Sequence, residues 1–475
     1  MSFMSSTVKN IVYNALYQVF IIALPLVTIP YVSRVLGVGN LGINSYVTSV
    51  GIALSVVILM GLNQVGVRSI ANAHDDKLLL KAFRGLWFLQ LLMGVVVCLI
   101  YVFGLVSIFP YKFYFILELP YLLSYIIDIS WFYIGIGKLQ NVIIRNTIIK
   151  LISVMCIFLL VKNSSDLYIY ILANSLGQFI ANFLFWLPLL RKFGKRVFHF
   201  KWAESRPFLK DNISVMIPLV AVQLYTNLDS TLVGTLSNTI QLSFYDQSQK
   251  IARIVIALLN SATMVLMPKM VKNRNNKDSF WKIFKISLDG TLCLSLIFMG
   301  IIIINAAEFV PWFFGQNFKP MILNMMIVSF IIPFISYGGV FANQYSISEG
   351  LYKEFSIPYY FGAVFSIAMN FVLVPYMGSI GGTIVITVTE FCVCFLRMFL
   401  VRKRIDWKKL LSGEWKFVIA LLITCFSMAF VHFSVGNIFL NLAIRSSVMF
   451  IEYLLLLVMM KDNFIYKMLL RLLKK

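Results

Sequence analysis

The sequence has few charged residues, and this shortage excludes an ordinary soluble globular protein. Charged residues make up 13% of the 475 residues, hydrophobic residues 60%, and the mean hydropathy is +0.87. Such a composition predicts a polytopic membrane protein whose apolar runs of about 20 residues cross the bilayer as helices. The first run follows Lys9 without a small-residue cleavage site, so we expect it to be retained as a membrane helix.

The sequence also lacks the motifs of metal, redox and nucleotide chemistry. It contains no CxxC pair, Walker loop, HExxH, nucleophile elbow or kinase signature, and its three histidines are far apart. Gly37, Gly39 and Gly42 spell GxGxxG, but they follow a complete apolar span instead of a short strand, so we interpret them as a tight external turn between helices. We therefore expect no cofactor, no metal, no disulfide and no enzymatic activity. All six cysteines lie inside apolar runs: Cys98, Cys156, Cys293, Cys392, Cys394 and Cys425.

Acidic residues are scarce, with 19 against 41 lysines and arginines and a net charge of +22. The basic residues fall in short segments between apolar runs, which is typical of membrane orientation and contact with anionic lipids and not of nucleic-acid binding. With a cytoplasmic N-terminus, 34 lysines and arginines fall on the cytoplasmic side and four on the external side. This asymmetry predicts an even number of spans and two cytoplasmic termini.

Hydropathy predicts an all-α fold with fourteen transmembrane helices. The most basic internal segment, 191–212, follows the sixth span and divides the chain. We expect an N-terminal lobe at 1–190, a basic cytoplasmic linker at 191–212, a C-terminal lobe at 213–404, and two further helices with a basic tail at 405–475. The predicted spans are roughly 10–32, 43–66, 85–108, 114–137, 143–161, 167–190, 213–235, 241–267, 284–307, 320–344, 357–377, 380–400, 416–435 and 439–460.

The eighth span, QLSFYDQSQKIARIVIALLNSATMVLM at 241–267, carries three charges inside a membrane-length helix. Asp246, Lys250 and Arg253 lie at i, i+4 and i+7 and so share one helix face. A charge at that depth costs about 2.5 to 3.5 kcal/mol, so this face should not meet lipid. One interpretation is an internal Asp–Lys pair that only joins helices. The other, which we favour, is a wet cationic cavity for an anion.

Other charges within the spans have more than one interpretation. Asp229 in the seventh span could neutralise Lys250 or Arg253. Asp128 in the fourth span could pair with Lys150 across a helix hairpin, or it could couple transport to an ion.

Glu390 in the twelfth span is a second candidate for ion coupling. Arg445 and Glu452 lie seven residues apart on one face of the fourteenth span, and we interpret them as a structural pair.

Five segments occur in a characteristic order along the chain: PYVSRVLGVGNLGINSY (30–46), GLNQVGVRSIANAHDD (61–76), DISWFYIGIGKLQNVIIRN (128–146), FYDQSQKIARI (244–254) and GSIGGTIVITVTE (378–390). Together they resemble the Wzx-type polysaccharide flippases of the multidrug/oligosaccharidyl-lipid/polysaccharide (MOP) exporter superfamily. The resemblance runs from about Lys9 to Arg404, and Arg34 falls at the arginine of that family's RxLG motif and Lys250 at the lysine of its eighth helix.

The resemblance implies two six-helix lobes around a central cavity, two peripheral C-terminal helices, and a location in the bacterial cytoplasmic membrane. It implies a flippase that moves undecaprenyl-diphosphate-linked oligosaccharide repeat units to the outer leaflet by alternating access, for surface polysaccharide such as O-antigen or capsule. The implied partners are this lipid-linked substrate, membrane lipids, and the polymerase and chain-length machinery of the pathway. Substrate-binding candidates are Lys250, Arg253, Arg34, Asp246 and Asp229.

Other functions remain open. A flippase specialised for the peptidoglycan precursor is a close relative of the first interpretation, and the sequence does not separate the two. A multidrug or cation antiporter of the same fold would require a net acidic cavity, whereas the eighth span is net positive. A membrane glycosyltransferase or polymerase would be expected to carry a large external catalytic loop, whereas the longest predicted external loop has about a dozen residues.

Overall fold

The computed structural model describes residues 2–264, 266–273, 276–431, 436–462 and Phe464. Within these residues the chain is helical and contains no strand. It divides into two compact units, Met1–Gly234 and Thr235–Lys475. The segment 432–435, at the end of the thirteenth predicted span, and the basic tail 465–475 lie outside the described residues.

In the described part of the chain the first unit contains ten α-helices, and the last of them, α10, continues two residues past the unit boundary at Gly234. They are α1 Ser2–Leu59, α2 Leu62–Ala71, α3 Asp76–Leu99, α4 Val106–Ile108, α5 Lys112–Ile126, α6 Ser130–Gly135, α7 Leu139–Leu160, α8 Leu167–Leu184, α9 Trp186–Phe193 and α10 Trp202–Leu236. A π-helical segment, Ile100–Leu105, continues α3.

The second unit is also built from helices, and a π-helical segment, Val340–Ser346, continues α15. Its helices are α11 Thr239–Met264, α12 Met267–Lys272, α13 Lys277–Phe314, α14 Ile322–Val328, α15 Ile331–Gly339, α16 Tyr352–Val401, α17 Trp407–Leu410, α18 Glu414–Phe430 and α19 Ile438–Met459.

The prediction of fourteen crossings is confirmed for the described chain. Nine helical stretches are long and apolar enough to span a membrane, and two of these, at 23–71 and 352–404, are 49 and 53 residues long and hold two crossings each. The other three crossings are α10 and α11, which carry charges along their length, and α18, which is 17 residues long.

Both double-length helices turn at a glycine. Gly37 has φ 76° and Gly378 has φ 55°, a region that glycine adopts without the clash that a Cβ would create. Next to Gly378, Gln241 Oε1 accepts hydrogen bonds from Ser379 N at 3.0 Å and from Ser379 Oγ at 2.6 Å. The glycine-rich segment at Gly37 is therefore a turn between helices, as the sequence predicts.

The helix break between α5 and α6 leaves backbone carbonyls that need donors in a medium without water. Trp87 Nε1 donates to Ile126 O at 3.0 Å and Trp186 Nε1 to Ile127 O at 2.8 Å. Gln90 Nε2 donates to Tyr125 O at 2.5 Å and Asp128 O at 2.9 Å. The aromatic cluster of the first unit therefore donates hydrogen bonds to the free carbonyls of the interrupted helix and also fills the core. Its buried residues include Phe83, Leu86, Trp87, Trp131, Phe132 and Trp186.

The basic segment after the sixth crossing is mostly helical, and only residues 199–201 lack helical structure. The N-terminal part of α10 packs within the first unit: Arg84 Nη2 lies 2.8 Å from Glu204 Oε1, with the side chains 18% and 11% exposed. Gly85 permits this approach, because a Cβ there would lie 2.3 Å from the backbone oxygen of Glu204. These contacts place α10 with the first unit, so the boundary falls at Gly234, later in the chain than the segment 191–212.

The last two crossings, α18 and α19, pack against α13. A Cβ at Gly300 of α13 would lie 2.7 Å from Leu421 of α18 and 2.8 Å from Met449 of α19. The close approach of the three helices at this glycine buries one apolar cluster, which includes Cys293, Leu296, Phe417, Leu421, Met449 and Tyr453.

Candidate functional site

The charges of the eighth crossing lie on α11 in the second unit. Asp246 Oδ2 and Lys250 Nζ are 2.8 Å apart, and their side chains are 19% and 41% exposed. Arg253, one turn further, is half-buried. The Asp–Lys pair of the structural interpretation therefore forms, yet the lysine keeps an accessible surface.

Buried amides accompany these charges on α11. Gln247 is 1% exposed and Gln249 4% exposed. Among the described residues, Gln247 Nε2 and both polar side-chain atoms of Gln249 have no hydrogen-bond partner. Buried polar groups are nearly always paired, so such atoms indicate a place for water or a ligand. Ser243 Oγ, one turn before Gln247, is also buried and without a partner there.

A second lysine–aspartate pair in the same unit has a different environment. Lys285 Nζ lies 2.8 Å from Asp289 Oδ1 on α13, and the side chains are 26% and 11% exposed. Lys285 also donates to Leu410 O at 2.6 Å. This lysine joins α13 to α17. Its pair with Asp289 is therefore structural, and it has the same N–O distance as the Asp246–Lys250 pair, with which it can be compared.

Arg34 is exposed on α1 of the first unit, one turn before Gly37. Its neighbours fix this part of α1 to the connection between α7 and α8: Tyr31 OH donates to Val161 O at 2.6 Å, and Asn40 Nδ2 donates to Ser164 O at 2.6 Å. Arg34 therefore lies at the end of the unit that the charge pattern assigns to the external side.

Asp229 is fully buried in α10. A polar contact lies close to it in sequence, where Ser49 of α1 and Thr231 of α10 share a hydrogen bond of 2.8 Å. Asp229 belongs to the first unit and Lys250 and Arg253 to the second, so its neutralising role stays a prediction.

The possible pair between Asp128 and Lys150 does not form, which corrects that interpretation. Asp128 lies in the break between α5 and α6, where its Oδ1 accepts from Ser130 N at 2.9 Å. It thereby supports the start of α6, because a carboxylate can pair a backbone N–H that a helix start leaves free. Glu390 is 3% exposed in α16. Ion coupling by Asp128 or Glu390 stays a prediction.

The prediction that Arg445 pairs with Glu452 is wrong. Arg445 Nη1 lies 3.5 Å from Glu308 Oε1, and Nη2 donates to Met428 O at 3.0 Å. Glu452 accepts from Ser427 Oγ at 2.6 Å. The neighbouring helices α13 and α18 offer both residues closer partners than a position two turns away on their own helix.

Sequence reasoning missed a cavity within the first unit. It has a volume of about 330 Å³ and lies between α1, α7 and α8. The charge pattern assigns Lys150 to the cytoplasmic basic set, but the structure places it in the middle of α7 on the cavity wall. The usable signal was the spacing of Asn146, Lys150 and Ser153, which puts three polar side chains on one face of a membrane helix. The lining residues are Phe20, Leu24, Pro25, Asn146, Ile149, Lys150, Ser153, Asn174, Gly177, Gln178 and Ala181.

The fold is shared with solved structures of membrane transporters. The chain is similar to a solved structure of the lipid II flippase MurJ in an inward closed conformation, with 14% identity, a TM-score of 0.76, and coverage of 95% of this chain and 99% of that one. It is also similar to an inward-facing multidrug resistance MATE family transporter of the MOP superfamily, with 14% identity, a TM-score of 0.61, and coverage of 84% and 100%.

The chain belongs to the polysaccharide biosynthesis protein family, whose model matches residues 7–274. Two relatives are proteins designated as candidate O-antigen transporters. The one from Escherichia coli (strain K12) is 24% identical over 406 residues, which cover 83% of this chain and 96% of the relative. The one from Shigella dysenteriae is 25% identical over 399 residues, which cover 80% and 96%. The resemblance to the Wzx-type flippases is thereby confirmed.

Proposed function

We propose that this multi-pass membrane protein moves an undecaprenyl-diphosphate-linked oligosaccharide from the inner to the outer leaflet of the bacterial cytoplasmic membrane. Membership of the polysaccharide biosynthesis family and likeness to designated O-antigen transporters support a substrate of this class. The observation that carries the proposal is the polar face of α11, where a partly exposed lysine lies beside buried amides without partners.

The physical need for such a face follows from the substrate. A diphosphate carries about two negative charges, and neither it nor a sugar chain crosses about 30 Å of hydrocarbon unaided. The ammonium of Lys250 and the guanidinium of Arg253 would replace phosphate hydration with charge-assisted hydrogen bonds. The amides of Gln247 and Gln249 supply donors and acceptors for hydroxyl groups. Asp246 holds Lys250 in position until an anion competes for the ammonium.

The transport cycle in this proposal is alternating access. The two units would move against each other and expose the charged face of α11 first to the cytoplasm and then to the external side, while the polyprenyl chain stays in lipid. The strong excess of cytoplasmic lysine and arginine supports two cytoplasmic termini. In that orientation Arg34 would meet the diphosphate near the external side.

The test is translocation by purified protein in proteoliposomes, measured with a fluorescent undecaprenyl-diphosphate oligosaccharide. Lys250→Met should lower the initial rate about tenfold or more, because a hydrogen bond to a charged group contributes about 1.5 to 3 kcal/mol. The double variant Asp246→Asn/Lys250→Met removes both charges and leaves no buried ion unpaired. If Lys250 contacts the substrate, the double variant stays slow.

Lys285→Met is the matched control, because it breaks the other lysine–aspartate pair of the second unit. It should lower the amount of folded protein and leave the rate per folded molecule near the wild-type value. Full recovery of translocation in the double variant Asp246→Asn/Lys250→Met would assign the α11 pair to structure and remove it from the substrate site. Absence of translocation by the wild-type protein would refute the proposed function itself.

A further inference from the structure

The cavity between α1, α7 and α8 is polar on two walls and apolar on the third. Asn146, Lys150 and Ser153 project from successive turns of α7, and Asn174 and Gln178 from successive turns of α8. Phe20, Leu24 and Pro25 of α1 form the apolar side. Gly177 brings α8 close to α7, because a Cβ there would lie 2.3 Å from Ser153 Oγ.

Lys150 places a positive charge near the middle of the membrane. It is 11 residues from the start of α7 and 10 from its end, so each end is about 15 Å away at 1.5 Å per residue. A lysine side chain does not reach the headgroups over that distance. Within the described chain, Lys150 forms no ion pair or hydrogen bond, and no acidic side chain lines the cavity. An ammonium in that position is stable only when water or an anion meets it.

The amides around Lys150 have unused hydrogen-bonding capacity. Gln178 makes no side-chain hydrogen bond to any described residue. Asn174 Nδ2 donates to Tyr170 O at 2.9 Å, which leaves its oxygen available. Asn146 Oδ1 accepts from the guanidinium of Arg145, which leaves its amide nitrogen available. The cavity therefore offers one cation together with separate amide donors and acceptors, the set that complements a hydroxyl-bearing anion.

The neighbouring cation does not add a second charge to the cavity wall. Arg145 is not among the lining residues. Its guanidinium lies 3.7 Å from the centre of the Phe185 ring and is taken up by Asn182 Oδ1 at 3.1 Å, Ala181 O at 2.5 Å and Asn146 Oδ1, to all of which it donates. A single ammonium matches one negative charge better than the two of a diphosphate. The volume of about 330 Å³ is near the lower end of the range for small-ligand sites, about 300 to 1,000 Å³, and fits one sugar ring but not a whole oligosaccharide.

We propose that this cavity binds an acidic sugar residue of the transported glycan, with its carboxylate on Lys150 and its hydroxyls on Asn146, Asn174 and Gln178. This inference rests on the proposed function and adds to it a subsite in the first unit, separate from the α11 face in the second. The substrate class is then a repeat unit that contains a sugar acid. Lys150 is a specificity-determining residue, because a neutral sugar would leave its ammonium without a counter-charge.

The experiment measures binding of glucuronate, galacturonate, glucose and inorganic pyrophosphate to the full-length protein in nanodiscs, by saturation-transfer NMR. Lys150→Met should raise the Kd of the sugar acid about tenfold or more, since a hydrogen bond to a charged group is lost. Glucose should bind the wild-type protein more weakly than the sugar acids. Gln178→Leu should weaken glucose and the sugar acids alike. Lys192→Met removes a lysine from an exposed ion pair with Asp76 and should leave every Kd unchanged.

Variants are compared only if their unfolding temperatures match the wild type, and Lys150→Gln replaces Lys150→Met if the latter fails to fold. An equal Kd for the sugar acids in the wild type and the Lys150 variant would overturn the proposal. So would absence of sugar-acid binding, or loss of pyrophosphate binding in place of sugar-acid binding. Sugar-acid binding without any translocation would refute the proposed function and leave this site standing. Translocation by the wild-type protein, together with sugar-acid binding that does not depend on Lys150, would refute this site and leave the proposed function standing.

Discussion

Two ion pairs between α10 and the preceding helices permit a direct test of how burial sets the strength of a salt bridge in this protein. The Arg84–Glu204 and Arg68–Asp211 pairs both have N–O distances of 2.8 Å. Glu204 and Asp211 lie seven residues apart on one face of α10. The side chains of the first pair are 18% and 11% exposed, and those of the second pair 66% and 54%. Both pairs thus join an arginine to a carboxylate at the same N–O distance, and they differ in the exposure of their side chains.

The expected magnitudes follow from that difference. Arg84→Met should reduce the free energy of unfolding by about 3 kcal/mol, because it leaves the Glu204 carboxylate buried without a partner. The double variant Arg84→Met/Glu204→Leu should return to within about 1 kcal/mol of the wild type. The native pair is incompletely satisfied, since Arg84 Nε and Glu204 Oε2 are buried without hydrogen bonds within the described residues. Arg68→Met should cost at most about 1 kcal/mol, as an exposed pair does.

The assay is reversible unfolding in mixed detergent micelles, followed by circular dichroism, with a double-mutant cycle for each pair. The cycle should give a coupling energy several times larger for Arg84 and Glu204 than for Arg68 and Asp211. Equal coupling energies in the two cycles would show that burial at the start of α10 does not control these pairs. A double variant as unstable as Arg84→Met would show that the cost comes from lost packing and not from the unpaired carboxylate.

Two backbone features give further expected outcomes. Gly378→Ala should destabilise the protein by about 1 to 3 kcal/mol, because φ is 55° and the new Cβ would lie 2.9 Å from Gln241 Oε1. Gly39→Ala is the control, since a Cβ there meets nothing within 4 Å. Equal unfolding curves for the two variants would contradict the prediction. Gln90→Leu should cost about 1 to 3 kcal/mol, because it leaves the Tyr125 carbonyl at the α5–α6 break without its donor, whereas Asp128 O keeps Trp131 Nε1 at 3.1 Å. Unfolding of Gln90→Leu at the wild-type temperature would show that this carbonyl finds another donor.

The sequence identified the charged face of α11 because the spacing within one helix is fixed by helix geometry. Asp246 and Lys250 are one turn apart wherever the helix lies, so their pairing could be read from residue numbers. The sequence did not show whether the Asp246–Lys250 pair is buried or accessible. The exposure of Lys250 and the unpaired amides of Gln247 and Gln249 depend on which helices pack beside α11.

The cavity at Lys150 could not be found with the same certainty, because it requires three helices that are far apart in the chain. The sequence shows that Asn146, Lys150 and Ser153 share a face, but not that this face meets α8 and the apolar part of α1. The positive-inside count also favours treating any lysine near the start of a span as cytoplasmic. Lys150 becomes central because α7 begins at Leu139, four residues before the predicted span.

What the sequence by itself determined is the class of protein: a polytopic helical membrane protein with fourteen crossings and family membership carried by local motifs. These properties follow from run length and composition, because a bilayer demands helices of about 20 apolar residues. What only the tertiary structure decided is which charges meet. Arg445 pairs with Glu308 instead of Glu452, Asp128 supports a helix start instead of meeting Lys150, and α10 joins the first unit. The physical reason is that hydropathy fixes where a helix crosses, whereas its rotation about its own axis and its choice of neighbours depend on packing between distant segments.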